Sequence, residues 1–210
     1  MIKNIILNDR AISPTKVVCI GRNYYAHIEE LNNEIPAEMV IFLKPNSAIS
    51  DSISCVGEDE IHYEAELAFL IKDGKIQALA FGLDLTKREI QNQLKAKGLP
   101  WERAKAFDGS AVFSHFIEFD GDVDELSLIL SINKQQIQQG CVSTMIYKPV
   151  QILDEVSRFM SWVDGDILMT GTPQGVGKIT PGDFFEGAVF YGDKCLINVH
   201  WQVPKDDFKK

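Results

Sequence analysis

Cysteine is scarce in this chain, and the few present have neither metal-binding nor redox spacing. Cys19, Cys55, Cys141 and Cys195 are scattered without a C-x-x-C pair, which excludes a zinc knuckle and a disulfide framework. They are expected to be small buried residues of a reduced, cytoplasmic protein. Positive charge is also short: 21 Lys and Arg stand against 30 Asp and Glu, a formal net charge of −9. Nucleic acid and anionic membrane both require a basic face, so neither is an expected partner. An anionic small molecule stays open, because a local cation can reverse the field inside a pocket. No run approaches the roughly 20 apolar residues that span a bilayer. Met1–Arg10 holds no apolar stretch with a cleavage site, so no signal peptide is expected. Fixed-period repeats, low-complexity segments and the G-x-x-x-x-G-K-[ST] phosphate loop are absent too.

The 210 residues are 45% hydrophobic and 24% charged, enough for one domain with a sizeable core. Strand-like segments rich in β-branched and aromatic residues dominate: Lys16–Ile20, Met39–Lys44, Ile61–Ile71, Ala78–Leu85, Leu126–Ile132, Asp166–Thr170 and Lys194–Trp201. Turn pairs such as Asp73-Gly74, Asp164-Gly165 and Pro181-Gly182 punctuate them. Helices are few. Thr86-Lys87-Arg88-Glu89 reads as a capping box opening a helix with Ile90 and Leu94 on its apolar face, ending at Gly98. Pro149–Val163 predicts a second helix, with Ile152, Val156 and Phe159 at helical spacing, and Tyr24–Leu31 a short third. The mix predicts a β-rich α+β fold in a single domain over 1–210.

Alternation along Ile61–Ile71 puts Ile61, Tyr63, Ala65, Leu67, Phe69 and Ile71 on one face, with His62, Glu64 and Glu66 on the other. Two like charges on one face repel, and if buried they need protons or a cation to stay there. The alternative is a solvent-exposed edge face, where glutamates cost little. In the next strand Phe81, Leu83 and Leu85 share a face, while Asp84 lies among the small residues Ala80 and Gly82. Three carboxylates without cysteine make an oxygen-rich set that suits Mg²⁺ or Mn²⁺ better than Zn²⁺. In the short helix, His27 and Glu30 stand at i, i+3 and can meet. A carboxylate beside imidazole raises its basicity and fixes its tautomer; a chance pairing on an exposed face is the plainer reading.

Taken together, these segments resemble the fumarylacetoacetate hydrolase superfamily, and within it the small acylpyruvase and oxaloacetate decarboxylase-like members. The matching pieces are Gly21-Arg22-Asn23-Tyr24 with His27, Phe42-Leu43-Lys44-Pro45, and His62-Tyr63-Glu64-Ala65-Glu66-Leu67. They continue with Gly82-Leu83-Asp84-Leu85-Thr86, Lys97-Gly98-Leu99-Pro100-Trp101 with Ala104-Lys105, and Thr170-Gly171-Thr172-Pro173-Gln174-Gly175-Val176-Gly177. The resemblance implies a mixed β-sandwich roll with few helices, and Glu64, Glu66 and Asp84 as ligands of Mg²⁺, with Mn²⁺ as the other option. It also implies His27 and Glu30 as a catalytic dyad and Lys105 as a catalytic, substrate-contacting cation. Arg22, Asn23, Tyr24 and Thr172 are implied as further substrate contacts. Residues 22–38 are implied to be a mobile lid, with Leu31–Glu38 meeting the substrate's tail, and a homodimer is the usual assembly.

The chemistry implied is cleavage of a carbon–carbon bond in acylpyruvate-type 2-oxo acids through a metal-stabilised enolate, with water activated by His27 and Glu30. Oxaloacetate decarboxylation or tautomerisation, or isomerisation of a 2-oxo-alkenedioate, would use the same site. One departure stands out. The family follows its Gln-x-Gly segment with Asn and Thr, whereas Gln138-Gln139-Gly140 continues here with Cys141 and Val142 before Met145-Ile146-Tyr147. That change bears on substrate choice and leaves the metal site untouched.

Overall fold

The computed structural model describes residues 2–30, 36–54 and 59–205. Cys55 and residues 31–35, within the expected lid and the expected tail-binding stretch, lie outside the described residues. The first strands are β1 (Ile5–Leu7), β2 (Arg10–Ile12), β3 (Lys16–Gly21), β4 (Val40–Pro45) and β5 (Ile49–Ser50), with α1 (Tyr25–Glu30) before β4. Then come β6 (Ile61–Tyr63), β7 (Ala65–Lys72), β8 (Lys75–Asp84) and β9 (Thr86–Lys87), leading into α2 (Arg88–Ala96) and α3 (Glu102–Lys105). Next are β10 (Ala111–Phe113), β11 (Ile117–Glu118), β12 (Leu126–Ile132), β13 (Gln135–Cys141) and α4 (Pro149–Ser157). The chain closes through β14 (Ile167–Met169), β15 (Gly177–Lys178), β16 (Phe184–Tyr191) and β17 (Lys194–Gln202).

A large mixed sheet runs in the order β4-β3-β14-β7-β8-β10-β5, with β11 added on β8. Against it packs an antiparallel sheet of order β13-β12-β16-β17, and β15-β6-β9 form a small third sheet. The core lies between the two larger sheets. Leu67, Phe69, Ile71, Phe81 and Leu83 from one meet Leu126, Leu128, Leu130, Phe185, Val189 and Trp201 from the other, with Ile152, Leu153 and Val156 of α4. A Cβ at Gly187 would stand 2.7 Å from the Phe81 ring, so glycine there lets the sheets close up. The second face of the large sheet is buried as well, by Val17, Cys19, Ala68, Leu70, Ala80, Ile167 and Met169 with Ile5, Leu7 and Phe116. The strand-rich α+β architecture expected from sequence is what forms.

Several local expectations are corrected. Ile61–Ile71 is not one strand: it breaks at Glu64, where the Ala65 N–H bonds the Gln138 side chain (3.0 Å) and β6 leaves for the small sheet. Thr86 does not cap α2; it lies in β9, and its hydroxyl receives the Lys105 ammonium at 2.6 Å. The buried side chains of α2 are Arg88 and Gln91, not Ile90 and Leu94, because the helix turns a polar face toward a cavity. The helix at Pro149 stops at Ser157, leaving Phe159 61% exposed rather than on the core face. Of the three described cysteines only Cys19 is buried, while Cys141 is partly exposed and Cys195 exposed. Cys195 sits on an outward turn of β17, where strand alternation overrides its hydrophobic character. The strands β13 and β16 escaped notice, the first because its glutamine-rich sequence lacks β-branched character.

Candidate active site

In β7 and β8 the antiparallel register sets Glu66 opposite Gly82 and Ala65 opposite Leu83. Continued by two residues, it places Glu64 opposite Asp84, where the Asp84 N–H donates to the Glu64 carbonyl at 2.8 Å. Opposed residues present their side chains on one face, so the three carboxylates converge while Gly82 contributes no bulk between them. One oxygen from each of Glu64, Glu66 and Asp84 lies within 4.8 Å of the others, and all three residues are buried. The exposed-edge reading of these glutamates is excluded.

Each carboxylate is also held from outside the cluster. Arg88 pairs with Glu64 Oε1, the Gly171 N–H donates to Glu66 Oε2 at 2.7 Å, and Lys44 Nζ stands 2.8 Å from Asp84 Oδ1. Gly171 has φ +93°, a conformation that aims its N–H at Glu66 and leaves no room for a Cβ beside Asn23. Lys105 Nζ bridges the inward oxygens, at 2.8 Å from Glu64 Oε2 and 2.7 Å from Asp84 Oδ2. The Lys44–Asp84 contact is an ion pair without hydrogen-bond alignment, and Asp84 Oδ1 has no hydrogen-bond partner among the described residues. A buried all-oxygen set with an oxygen lacking a hydrogen bond fits a hard divalent cation such as Mg²⁺ or Mn²⁺.

The electrostatics divide the carboxylates. Burial alone would raise Glu64, but Lys105, Arg88 and His27 hold it well below the usual carboxylate range. Burial, followed by the charges of Asp84 and Glu64, pushes Glu66 well above that range. Burial would lower Lys105, yet Asp84 and Glu64 outweigh it and keep the ammonium charged. Crowding of like charge therefore falls on Glu66, and a divalent cation held by the three carboxylates would relieve it.

Around the cluster, the cavity is lined by Arg22, His27, Phe42, Trp101 and Thr172, and by Arg88, Gln91 and Lys95 on one face of α2. His27 Nδ1 and Glu30 Oε2 are 3.0 Å apart, and Glu30 Oε1 receives the Gly175 N–H at 2.9 Å. The glycine-rich segment after β14 thus anchors the carboxylate that orients the imidazole. Gly175 has φ +100°, and a Cβ there would run into the Ile137 carbonyl. Thr172 donates to the Ala65 carbonyl at 2.8 Å and accepts from Gln138 Nε2 at 2.9 Å.

Of the residues singled out from sequence, the structure brings Glu64, Glu66, Asp84, Lys105, His27, Arg22 and Thr172 to one cavity, with Glu30 reaching it through His27. Asn23 and Tyr24 do not line it. The Asn23 amide is fully engaged with the Thr170 carbonyl (2.7 Å) and with the backbone of Tyr147, and Tyr24 is packed in the core. Both act as cement beneath the loop that carries Arg22. Sequence reasoning missed Lys44, Gln138 and the α2 face. A lysine directly following the apolar run Val40-Ile41-Phe42-Leu43 within one strand was the signal for Lys44. For α2 it was Arg88, Gln91 and Lys95 at i, i+3 and i+7.

Comparison with known proteins identifies the family and the fold. A family model described as fumarylacetoacetate (FAA) hydrolase C-terminal matches residues 16–200. The oxaloacetate tautomerase YcgM of Escherichia coli is 41% identical over 187 residues, covering 80% of this chain and 85% of that protein. A candidate fumarylacetoacetate isomerase/hydrolase from Oleispira antarctica superposes with a TM-score of 0.90 at 35% identity, covering 96% of this chain and 99% of the other. Fumarylpyruvate hydrolase from Pseudomonas aeruginosa, crystallised with Mn²⁺ and pyruvate, gives 0.88 at 26% identity over 97% and 96% of the two chains.

Proposed function

Since the chain belongs to the fumarylacetoacetate hydrolase family, we propose that it is a Mg²⁺- or Mn²⁺-dependent enzyme interconverting the keto and enol forms of oxaloacetate. The observation that carries this reading is the convergence of Glu64, Glu66 and Asp84 on one buried point beside Lys105 and the His27–Glu30 pair. The substrate is suggested by the tautomerase relative at 41% identity. It takes the place of acylpyruvate hydrolysis, the first expectation from sequence.

Glu64, Glu66 and Asp84 would hold the metal ion, which when bound acts as a Lewis acid toward the oxygens of a 2-oxo acid. Glu30, held by the Gly175 N–H, accepts from His27 Nδ1–H and so leaves Nε2 as the basic nitrogen. His27 Nε2 takes the proton from C3, the carbon next to the keto group. Negative charge then develops on the C2 oxygen, where the Lys105 ammonium stabilises it, an effect of the kind that usually contributes most to catalysis. Return of the proton from His27 to that oxygen gives the enol, and atoms and charge balance without water or a redox partner. Phe42 and Trp101 give the cavity an aromatic lining.

Acylpyruvate hydrolysis is the second reading, favoured by the formed His27–Glu30 pair, which could equally activate water. Stripping the protein with a chelator and assaying oxaloacetate tautomerisation and acetylpyruvate cleavage, with and without added Mn²⁺, separates the two. Metal-dependent turnover of oxaloacetate alone supports tautomerisation; cleavage of acetylpyruvate alone overturns it in favour of hydrolysis. Full activity in the chelated protein would remove the metal from the proposal.

A further inference from the structure

Four cations line the cavity, Arg22, Arg88, Lys95 and Lys105, and among the described residues the Lys95 ammonium has no direct ion-pair or hydrogen-bond partner. Lys105 is paired with Glu64 and Asp84, and Arg88 with Glu64 and Gln91. Lys95 lies one turn beyond Gln91 on the same face of α2, half-buried, with only its backbone hydrogen-bonded among the described residues. It stands where the cavity meets a neighbouring cleft lined by Glu30, His62, Asn92 and Val176. Burial, then the positive fields of Arg88 and Arg22, lower its pKa against an opposing pull from Glu64, so an anion placed beside it would relieve an unfavourable arrangement.

The carboxylate cluster and Lys105 occupy the deep end of the cavity, where the 2-oxo acid head binds in the reading above. A substrate with a second carboxylate carries that charge away from the head, toward the mouth. A lysine on a flexible four-carbon stem suits a terminus of variable reach. Resting on the proposed function, we propose that Lys95 pairs with the distal carboxylate of a 2-oxo dicarboxylic acid and sets a preference for dicarboxylic over monocarboxylic 2-oxo acids. Lys95 is thus a specificity-determining residue and takes no part in proton transfer.

The test compares Lys95→Met and Lys95→Arg with wild type, all as the full chain loaded with Mn²⁺. Equilibrium binding of oxaloacetate and of pyruvate is followed by tryptophan fluorescence, since Trp101 lines the cavity, alongside steady-state turnover of oxaloacetate. Lys95→Met is expected to raise the Kd and KM for oxaloacetate about tenfold, the scale of one partly buried charge pair. Its kcat should move less than twofold, its pyruvate affinity should be unchanged, and Lys95→Arg should keep most of the preference. A wild-type ratio of the two affinities in Lys95→Met, or equal weakening of both ligands, overturns the assignment. If wild type binds both acids but fails to turn over oxaloacetate, the catalytic reading falls while the affinity ratio still judges Lys95. If it binds neither, both fall.

Discussion

Gln138 is the side chain on which the site's architecture most depends without touching the cavity. Only 1% exposed, it accepts from the Ala65 N–H at 3.0 Å and donates to Thr172 Oγ1 at 2.9 Å and to the Pro173 carbonyl at 2.8 Å. It therefore ties the residue between the two cluster glutamates to the loop that carries Gly171 and Gly175. Gln138→Met keeps the length and removes all three bonds. At about 1 kcal/mol for each, and with the Ala65 N–H left buried and unsatisfied, the loss should be about 3 kcal/mol. For a chain of this size that lowers Tm by about 6–12 °C. The assay is thermal unfolding of wild type and variant, with and without Mn²⁺. Because Glu64 and Glu66 flank Ala65, the variant should also lose most of the Mn²⁺-dependent rise in Tm, which tracks metal affinity by linkage. Gln138→Glu retains the acceptor for Ala65 but turns a carboxylate toward the Pro173 carbonyl, so it should be no more stable. A Gln138→Met protein that melts within about 2 °C of wild type and keeps the full Mn²⁺ shift would refute the reasoning, since that is below what a single lost bond costs.

Three further outcomes follow from the same structure. Asp84→Ala should abolish Mn²⁺ binding, measured as loss of free Mn²⁺ signal in electron paramagnetic resonance, and turnover with it; retained stoichiometric binding would remove Asp84 from the site. Gly175→Ala forces a side chain into a φ of +100° against the Ile137 carbonyl. It should cost about 1–3 kcal/mol and, by withdrawing the N–H from Glu30, lower kcat about tenfold or more; urea unfolding and steady-state kinetics check the two parts. Asp166 accepts from Thr15, from the Lys16 backbone and ammonium, and from the Val163 N–H, and although burial opposes it these bonds hold its carboxyl below the usual range. A depressed folded pKa stabilises above the unfolded value of about 3.9 and is lost as pH falls through the folded one. Asp166→Asn should therefore cost about 3 kcal/mol at pH 7, and the gap to wild type in urea unfolding should narrow below about pH 4; a gap constant with pH contradicts the assignment.

Much of the fold was legible because its signals are local. Period-two alternation marked the core faces of β7 and β8, and all six residues from Ile61 to Ile71 assigned to the apolar face lie in the main core. The i, i+3 spacing of His27 and Glu30 foretold their contact. Where local signals misled, a tertiary partner had prevailed. Thr86 exchanged a helix cap for the Lys105 ammonium, and the amphipathic pattern of α2 was outweighed by a cavity that favours Arg88 and Gln91 on its wall. Asn23 and Tyr24, credited to substrate, serve packing.

Local pattern alone put Glu64 and Glu66 on one side of the chain, even though the strand breaks at Glu64, and donor chemistry alone marked the set as suited to a hard cation, because both signals depend on neighbours along the chain. That Asp84 joins them was decided only in three dimensions. The hairpin turn at Asp73-Gly74 pairs Lys72 with Lys75 and Ile71 with Ile76, a register that would set Glu64 against Leu83. A bulge between Leu70 and Ile71 shifts the pairing by one residue, so Leu70 meets Ala78 and Glu66 meets Gly82. That shift turns Asp84 onto the glutamates' face, where Lys44, Arg88 and Lys105, drawn from three separate elements, supply the charge that lets three buried carboxylates coexist.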